Sequence, residues 1–129
     1  MDMRRLLVIA GTALAAISMH VAPHAQGADA RYVQMAEIEI DPAQLEPYQA
    51  AVKEQIEAAI RLEPGVLVLY AVSQRDNPSH IRVFEIYRDM AAYRSHLEST
   101  HFKKYKATTQ NMVKSLSLVQ MNPIKLGAK

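Results

Sequence analysis

The residues of this chain with the widest chemical repertoire crowd into one stretch: Glu85, Tyr87, His96 and His101, with Tyr93, Phe102 and Tyr105 interleaved. An unperturbed imidazole titrates near neutrality, so His96 and His101 are candidates for carrying a proton to or from a bound molecule. Each can equally cap a helix or bridge two subunits. Glu85 becomes a usable base if burial raises its pKa, although a carboxylate in such a place more often holds an Arg or His in position. A metal site is not expected, because His96 and His101 are five residues apart, off the i,i+4 spacing of a helical pair, with a helix break between them. The chain has no cysteine, which removes thiolate nucleophiles and Cys-ligated zinc. Tyr70, Tyr87 and Phe102 can stack on an aromatic ligand or fill a core. Tyr87 is the strongest of these, since it shares a strand face with Glu85, whereas core filling is the ordinary role of Phe102 and Tyr105 at helical spacing.

These side chains need a scaffold, and the periodicity supplies one. Tyr32 to Ile40 alternates with period 2 and predicts a strand. Asp41-Pro42 then offers an N-cap followed by a proline at the first helical position, and Leu45, Tyr48, Val52, Ile56, Ala59 and Ile60 recur at helical steps until Pro64-Gly65. Val66 to Gln74 is almost continuously apolar and β-branched, the mark of a central strand covered on both faces. Arg75 to Ser79 is turn chemistry, with His80 expected at the turn, and Ile81 to Arg88 is the returning strand of a hairpin. Alternation puts Glu85 and Tyr87 on the face of Ile81 and Val83, with Phe84 and Ile86 expected to turn toward the helices. Asp89 caps a short helix, Ser99 or Thr100 caps another, and Ser115 to Met121 closes the fold as a strand. The order is β-α-β-β-α-β with a divided second helix: an α+β, ferredoxin-like plan with a four-stranded antiparallel sheet and helices on one face. Its other face needs a cover, and a face-to-face homodimer is the economical one.

The first thirty residues are of another kind. Arg4 and Arg5 precede an apolar run of 13 residues, Leu6 to Ser18, the length of a secretory h-region and shorter than the roughly 20 residues of a membrane span. Residues 1–27 are expected to be a cleaved signal peptide, or 1–30 if the second small-residue site is used. That makes the mature protein exported, periplasmic or secreted, with no lasting membrane anchor. Removing 1–27 takes away Asp2, Arg4 and Arg5, a net +1 of the formal +2, and leaves +1. Basic and acidic residues are interspersed apart from Lys103-Lys104-Tyr105-Lys106, which argues against a nucleic-acid partner. Residues 31–122 form the domain and 123–129 a tail.

Glu85-x-Tyr87-x-Asp89, then Ala92-x-x-x-His96 and Ser99-x-His101-Phe102, preceded by Glu63-Pro64-Gly65-Val66, resembles the antibiotic biosynthesis monooxygenase family, its small quinol-monooxygenase-like members in particular. The resemblance spans about Tyr32 to Asn122. It implies a dimeric α+β barrel and, for some members, oxygenation of quinol-like or polycyclic aromatic compounds by dioxygen with no metal or flavin. The haem-degrading branch of the superfamily looks like an Asn, His and Trp set, and this chain has no tryptophan. On the resemblance, the expected activity is a cofactor-independent monooxygenase on a small aromatic or quinol-like compound, with His96 the first choice of base, His101 and Glu85 beside it, and Tyr87, Tyr70 and Phe102 lining the pocket. A non-catalytic small-ligand-binding dimer and a cofactor-free isomerase are the alternatives, because one fold hosts many functions.

Overall fold

A computed structural model describes residues 30–129; the signal segment expected at 1–27 lies outside them. Strand β1 (Tyr32–Ile40) leads through a 3-10 turn (Pro42–Gln44) into helix α1 (Leu45–Leu62). Strands β2 (Val66–Gln74) and β3 (Asn77–Tyr87) form the hairpin, helices α2 (Met90–Glu98) and α3 (Thr100–Thr109) follow, and β4 (Val113–Met121) ends the domain. The strands are all antiparallel in the order β2-β3-β1-β4, the ferredoxin-like α+β plan.

Local chemistry accounts for the boundaries. Asp41 accepts a hydrogen bond from the Ala43 amide at 3.0 Å, and Asp89 accepts one from Ala92 at 2.7 Å, each satisfying an otherwise unpaired first-turn donor. Ser99 serves two helices at once: its hydroxyl donates to the His96 carbonyl at 2.7 Å, closing α2, and accepts from the Phe102 amide at 3.3 Å, starting α3. At the end of α1, Glu63 leaves the helix in an extended conformation, and the Gly65 carbonyl takes the Arg88 amide at 2.8 Å, fastening this turn to the end of β3.

The helices lie on the face of β1 and β3 that carries Ala36, Ile38, Ile81 and Val83, which pack against Tyr48 and Val52 of α1. A second cluster, Ala59, Val66, Leu69, Tyr87 and Ala92, fills the other end of the same layer. Because β1 and β3 pair Gln34 with Glu85 and Tyr32 with Tyr87, those four polar-tipped side chains also face the helices. The expectation that Phe84 and Ile86 point to the helices is therefore overturned. Alternation separates two faces, but it does not say which one the helices cover.

Three further expectations change. The apolar run of β2 is an edge strand, not a central one; its Tyr70 is 62% exposed, and Val72 and Leu67 are exposed with it. The hairpin turn is only Arg75–Asp76, since the ladder resumes at Asn77, so His80 sits within β3 opposite Glu39, its Nε2 3.7 Å from that carboxylate. The last strand starts at Val113, two residues before the alternating text begins.

Gly65 is required by a close approach. A Cβ built there comes within 2.6 Å of the Ala92 Cβ on α2, a contact that only movement of the turn or the helix can relieve. Gly65→Ala is expected to lower stability by about 1–3 kcal/mol, seen as a reduced urea midpoint with an unchanged m-value. A midpoint equal to wild type would show that the turn and α2 are not in contact.

Candidate active site

Between the sheet and the helices, where the two core clusters meet, a cavity of about 90 Å³ is lined by apolar side chains from every layer and by a few polar ones. Val83 and Leu69 come from the sheet, Val52 and Ile56 from α1, Leu97 from α2 and Phe102 from α3. Glu85 and Tyr87 enter from β3, Gln34 from β1, Gln55 from α1 and His96 from α2. Leu116 and Leu118 of β4 border it as well but are exposed, because no helix covers that strand.

His96 is held at both ring nitrogens. Its ring is 2% exposed and lies between Tyr87 and Phe102, with centroids 5.4 and 4.9 Å away. The Gln55 side-chain amide nitrogen, a donor only, is 2.9 Å from Nε2. That nitrogen therefore offers its lone pair and the ring proton sits on Nδ1. Nδ1 is 2.7 Å from Glu63 Oε2 and donates a hydrogen bond to it. The same carboxylate oxygen also takes a hydrogen bond from His101 Nε2, at 2.6 Å. Burial pushes the His96 pKa down, opposed by the hydrogen bond and charge of Glu63. The arrangement is that of a neutral imidazole oriented by a carboxylate, with its basic nitrogen on the side of the cavity-lining Gln55.

Glu85 forms a second polar group on the cavity wall. It accepts from Gln34 Nε2 at 2.8 Å and, more weakly, from the Tyr87 hydroxyl at 3.4 Å, while the Tyr32 hydroxyl donates to Gln34 Oε1 at 2.9 Å. Burial pushes its pKa up to about 7, against the two hydrogen bonds. Burial likewise drives the Tyr87 phenol well above its ordinary range, so it stays a donor.

Of the residues singled out from the sequence, His96, Glu85, Tyr87 and Phe102 share this cavity. His101 does not line it. The new helix axis after Ser99 turns its ring to the outer groove between α1 and α3, and it meets His96 through the shared Glu63 oxygen and by a tilted ring contact with centroids 6.0 Å apart. Tyr70 is on the opposite face of the sheet, paired with Phe84, and also stands outside. Three residues with roles were not singled out: Gln34, Gln55 and Glu63. Gln34 and Gln55 carried a signal, as polar positions within the inward phase of an otherwise apolar strand and helix; Glu63 stood in the Glu63-Pro64-Gly65-Val66 stretch of the resemblance, but nothing local tied it to the histidines.

The titration of Glu85 has a measurable consequence. Unfolded, it ionises at its ordinary 4.5; folded, at about 7. In between, the folded state keeps a proton that the unfolded state has lost, so the stabilisation is complete below 4.5 and disappears as the pH rises through about 7. The unfolding free energy should fall across that window by about 3 kcal/mol, and Glu85→Gln should remove the slope. A wild-type profile as flat as that of the variant would mean that the carboxyl is solvated.

The sequence matches the antibiotic biosynthesis monooxygenase family over residues 31–108. A crystal structure from Bacteroides thetaiotaomicron, assigned as an antibiotic biosynthesis monooxygenase, is 50% identical, covers 77% of this chain and 94% of its own, and superimposes with a TM-score of 0.74. One from Lactobacillus acidophilus, assigned as a monooxygenase, is 28% identical with a TM-score of 0.70; the match covers 71% of this chain and 44% of that one. A structure from Nitrosomonas europaea, 20% identical over 74% of this chain and 92% of its own, shares the fold with a TM-score of 0.70. No curated protein matches. With a family match over more than half of its length and a half-identical relative of the same fold, this chain belongs to the antibiotic biosynthesis monooxygenase family.

Proposed function

We propose that the protein is an exported, homodimeric, cofactor-independent monooxygenase that acts on a single-ring quinol-like compound, with His96 as the base. The observation that carries this reading is the protonation pattern of His96: a buried neutral imidazole whose Nδ1 proton is fixed by Glu63 while Nε2 keeps its lone pair beside an apolar cavity. A phenolic hydroxyl placed at Nε2, taking the place of the Gln55 contact, gives up its proton to a ring that Glu63 stabilises as it becomes charged. The phenolate is electron-rich enough to reduce dioxygen. Quinol plus dioxygen to hydroxyquinone plus water balances with the substrate supplying the electrons, so no external reductant enters. Tyr87 and a protonated Glu85 are the donors available to the substrate's oxygens.

Size restricts the substrate. The cavity, about 90 Å³, is smaller than the roughly 150 Å³ apolar cavity that takes up benzene. The closed part therefore holds only part of a ring, and the rest of a single-ring substrate would extend past Leu116 and Leu118.

The dimer reading rests on the other side of the sheet. Tyr70, Phe84, Met35 and Val119 stand in one row across all four strands on the face away from the helices, and Val72 and Met121 are exposed beside them. A second copy covering this face would remove that apolar surface from water. Sedimentation equilibrium should give twice the chain mass for wild type and a monomer for the double variant Tyr70→Glu, Val119→Glu. A wild-type monomer at micromolar concentration rules the dimer out.

Oxygen uptake by the purified protein with monocyclic hydroquinones and catechols, in the presence of a chelator, tests the activity. Uptake above the uncatalysed rate, lowered by about 100-fold or more in His96→Ala, is the expected result. If ring compounds bind but no oxygen disappears, the cavity belongs to a binding protein or an isomerase instead.

A further inference from the structure

We propose that Glu63, His96 and His101 form a binding site for a borderline divalent transition metal ion, for which zinc is the reference. The donor set is the first argument. Two imidazole nitrogens and one carboxylate oxygen are ligands that zinc and its neighbours accept readily, and these three donor atoms lie within 4.8 Å of one another. Zinc bonds of roughly 2.0–2.2 Å hold their ligands somewhat further apart than the present 2.6 and 2.7 Å contacts of Glu63 Oε2 with the two rings. The cluster has to open by less than about one bond length.

Preorganisation is the second argument. Glu63 leaves the end of α1 with its amide held by the Ala59 carbonyl, His96 is wedged in the last turn of α2, and His101 stands in the first turn of α3. The five-residue spacing that disfavours a pair on one helix does not apply here, because the helix ends at Ser99 and restarts on a new axis, and Glu63 from a third element completes the set.

Metal binding exchanges hydrogens for an ion without loss of protons when both rings are neutral. The His96 proton moves from Nδ1 to Nε2, and the His101 proton moves from Nε2 to Nδ1. At His96 the moved proton meets Gln55, whose amide needs only to turn over to present its oxygen, the outer hydrogen bond that metal-bound histidines usually have. On the outer side, His101 borders a groove of about 260 Å³ with Pro47, Ala51, Glu54 and Lys104. The inference does not rest on the oxygenase reading: a metal-bound His96 carries its proton on Nε2 and is no base, so the metal-bound form would be inactive, and the readout is bound metal and not turnover.

The test is zinc titration of the chelator-stripped full chain, followed by equilibrium dialysis with metal analysis, and by the visible spectrum of the Co²⁺ form. Binding of one ion per chain with a micromolar or tighter Kd is expected. In His101→Gln the side-chain amide can still donate to Glu63 and keep the fold, yet affinity should fall by about tenfold or more. The triple variant His20→Ala, His24→Ala, His80→Ala, which removes the remaining histidines, should bind as wild type does. Equal zinc affinity in wild type and His101→Gln overturns the proposal, as does X-ray absorption of the wild-type zinc form with fewer than two imidazoles; in either case the three side chains are a hydrogen-bonded clamp and nothing more.

Discussion

One carboxylate oxygen, Glu63 Oε2, receives hydrogen bonds from two imidazoles belonging to two different helices. Such an oxygen has been taken largely out of water, a cost that two charge-assisted bonds offset. The contact ties the exit of α1 to the end of α2 and the start of α3, so three elements of the helical layer meet at one atom. His96 depends on it in a second way. With Glu63 accepting the Nδ1 hydrogen bond and Gln55 satisfying Nε2, the ring has one tautomer and one orientation, and it can be buried without an unmet polar group.

The sheet beneath this layer is covered unevenly. Helices protect the inner face of β3 and β1, where Ile81, Val83, Ala36 and Ile38 are buried, but they stop short of β4, so Leu116 and Leu118 sit in the correct phase for a core and still meet solvent. The cavity opens toward that uncovered strand. Chemistry and assembly therefore touch along β4: any surface that closes over it changes both the apolar area exposed and the shape of the cavity mouth.

Much of this was legible in the residues, and the losses have physical reasons. Element order, the capping roles of Asp41, Asp89 and Ser99, and the common face of Glu85 and Tyr87 follow from rules that act over a few residues. Alternation is blind to which side the helices take, which is why Phe84 and Ile86 were assigned to the wrong one. An apolar run records that a strand needs cover on both faces and not where the cover comes from; β2 reads as central and lies at the edge. Glu63 is 33 and 38 residues from the histidines it holds, and no local pattern announces a contact of that range. His101 stands behind the His96 ring, in contact with it and joined to it by the shared Glu63 oxygen, and borders the outer groove instead of the cavity.

Ser99 sets an angle. On an unbroken helix, side chains five positions apart diverge by roughly 140°, and His96 and His101 would look in quite different directions. By ending one helix and starting the next with the same hydroxyl, Ser99 resets the rotational phase so that both rings meet the same oxygen. The number of residues between the histidines is thus a gear ratio fixed by one joint: insertion or loss of a residue there leaves each helix sound and the core intact, yet turns one ring off the shared carboxylate. In this chain, the length of this joint is as much a determinant of the buried cluster as the identity of the residues that compose it.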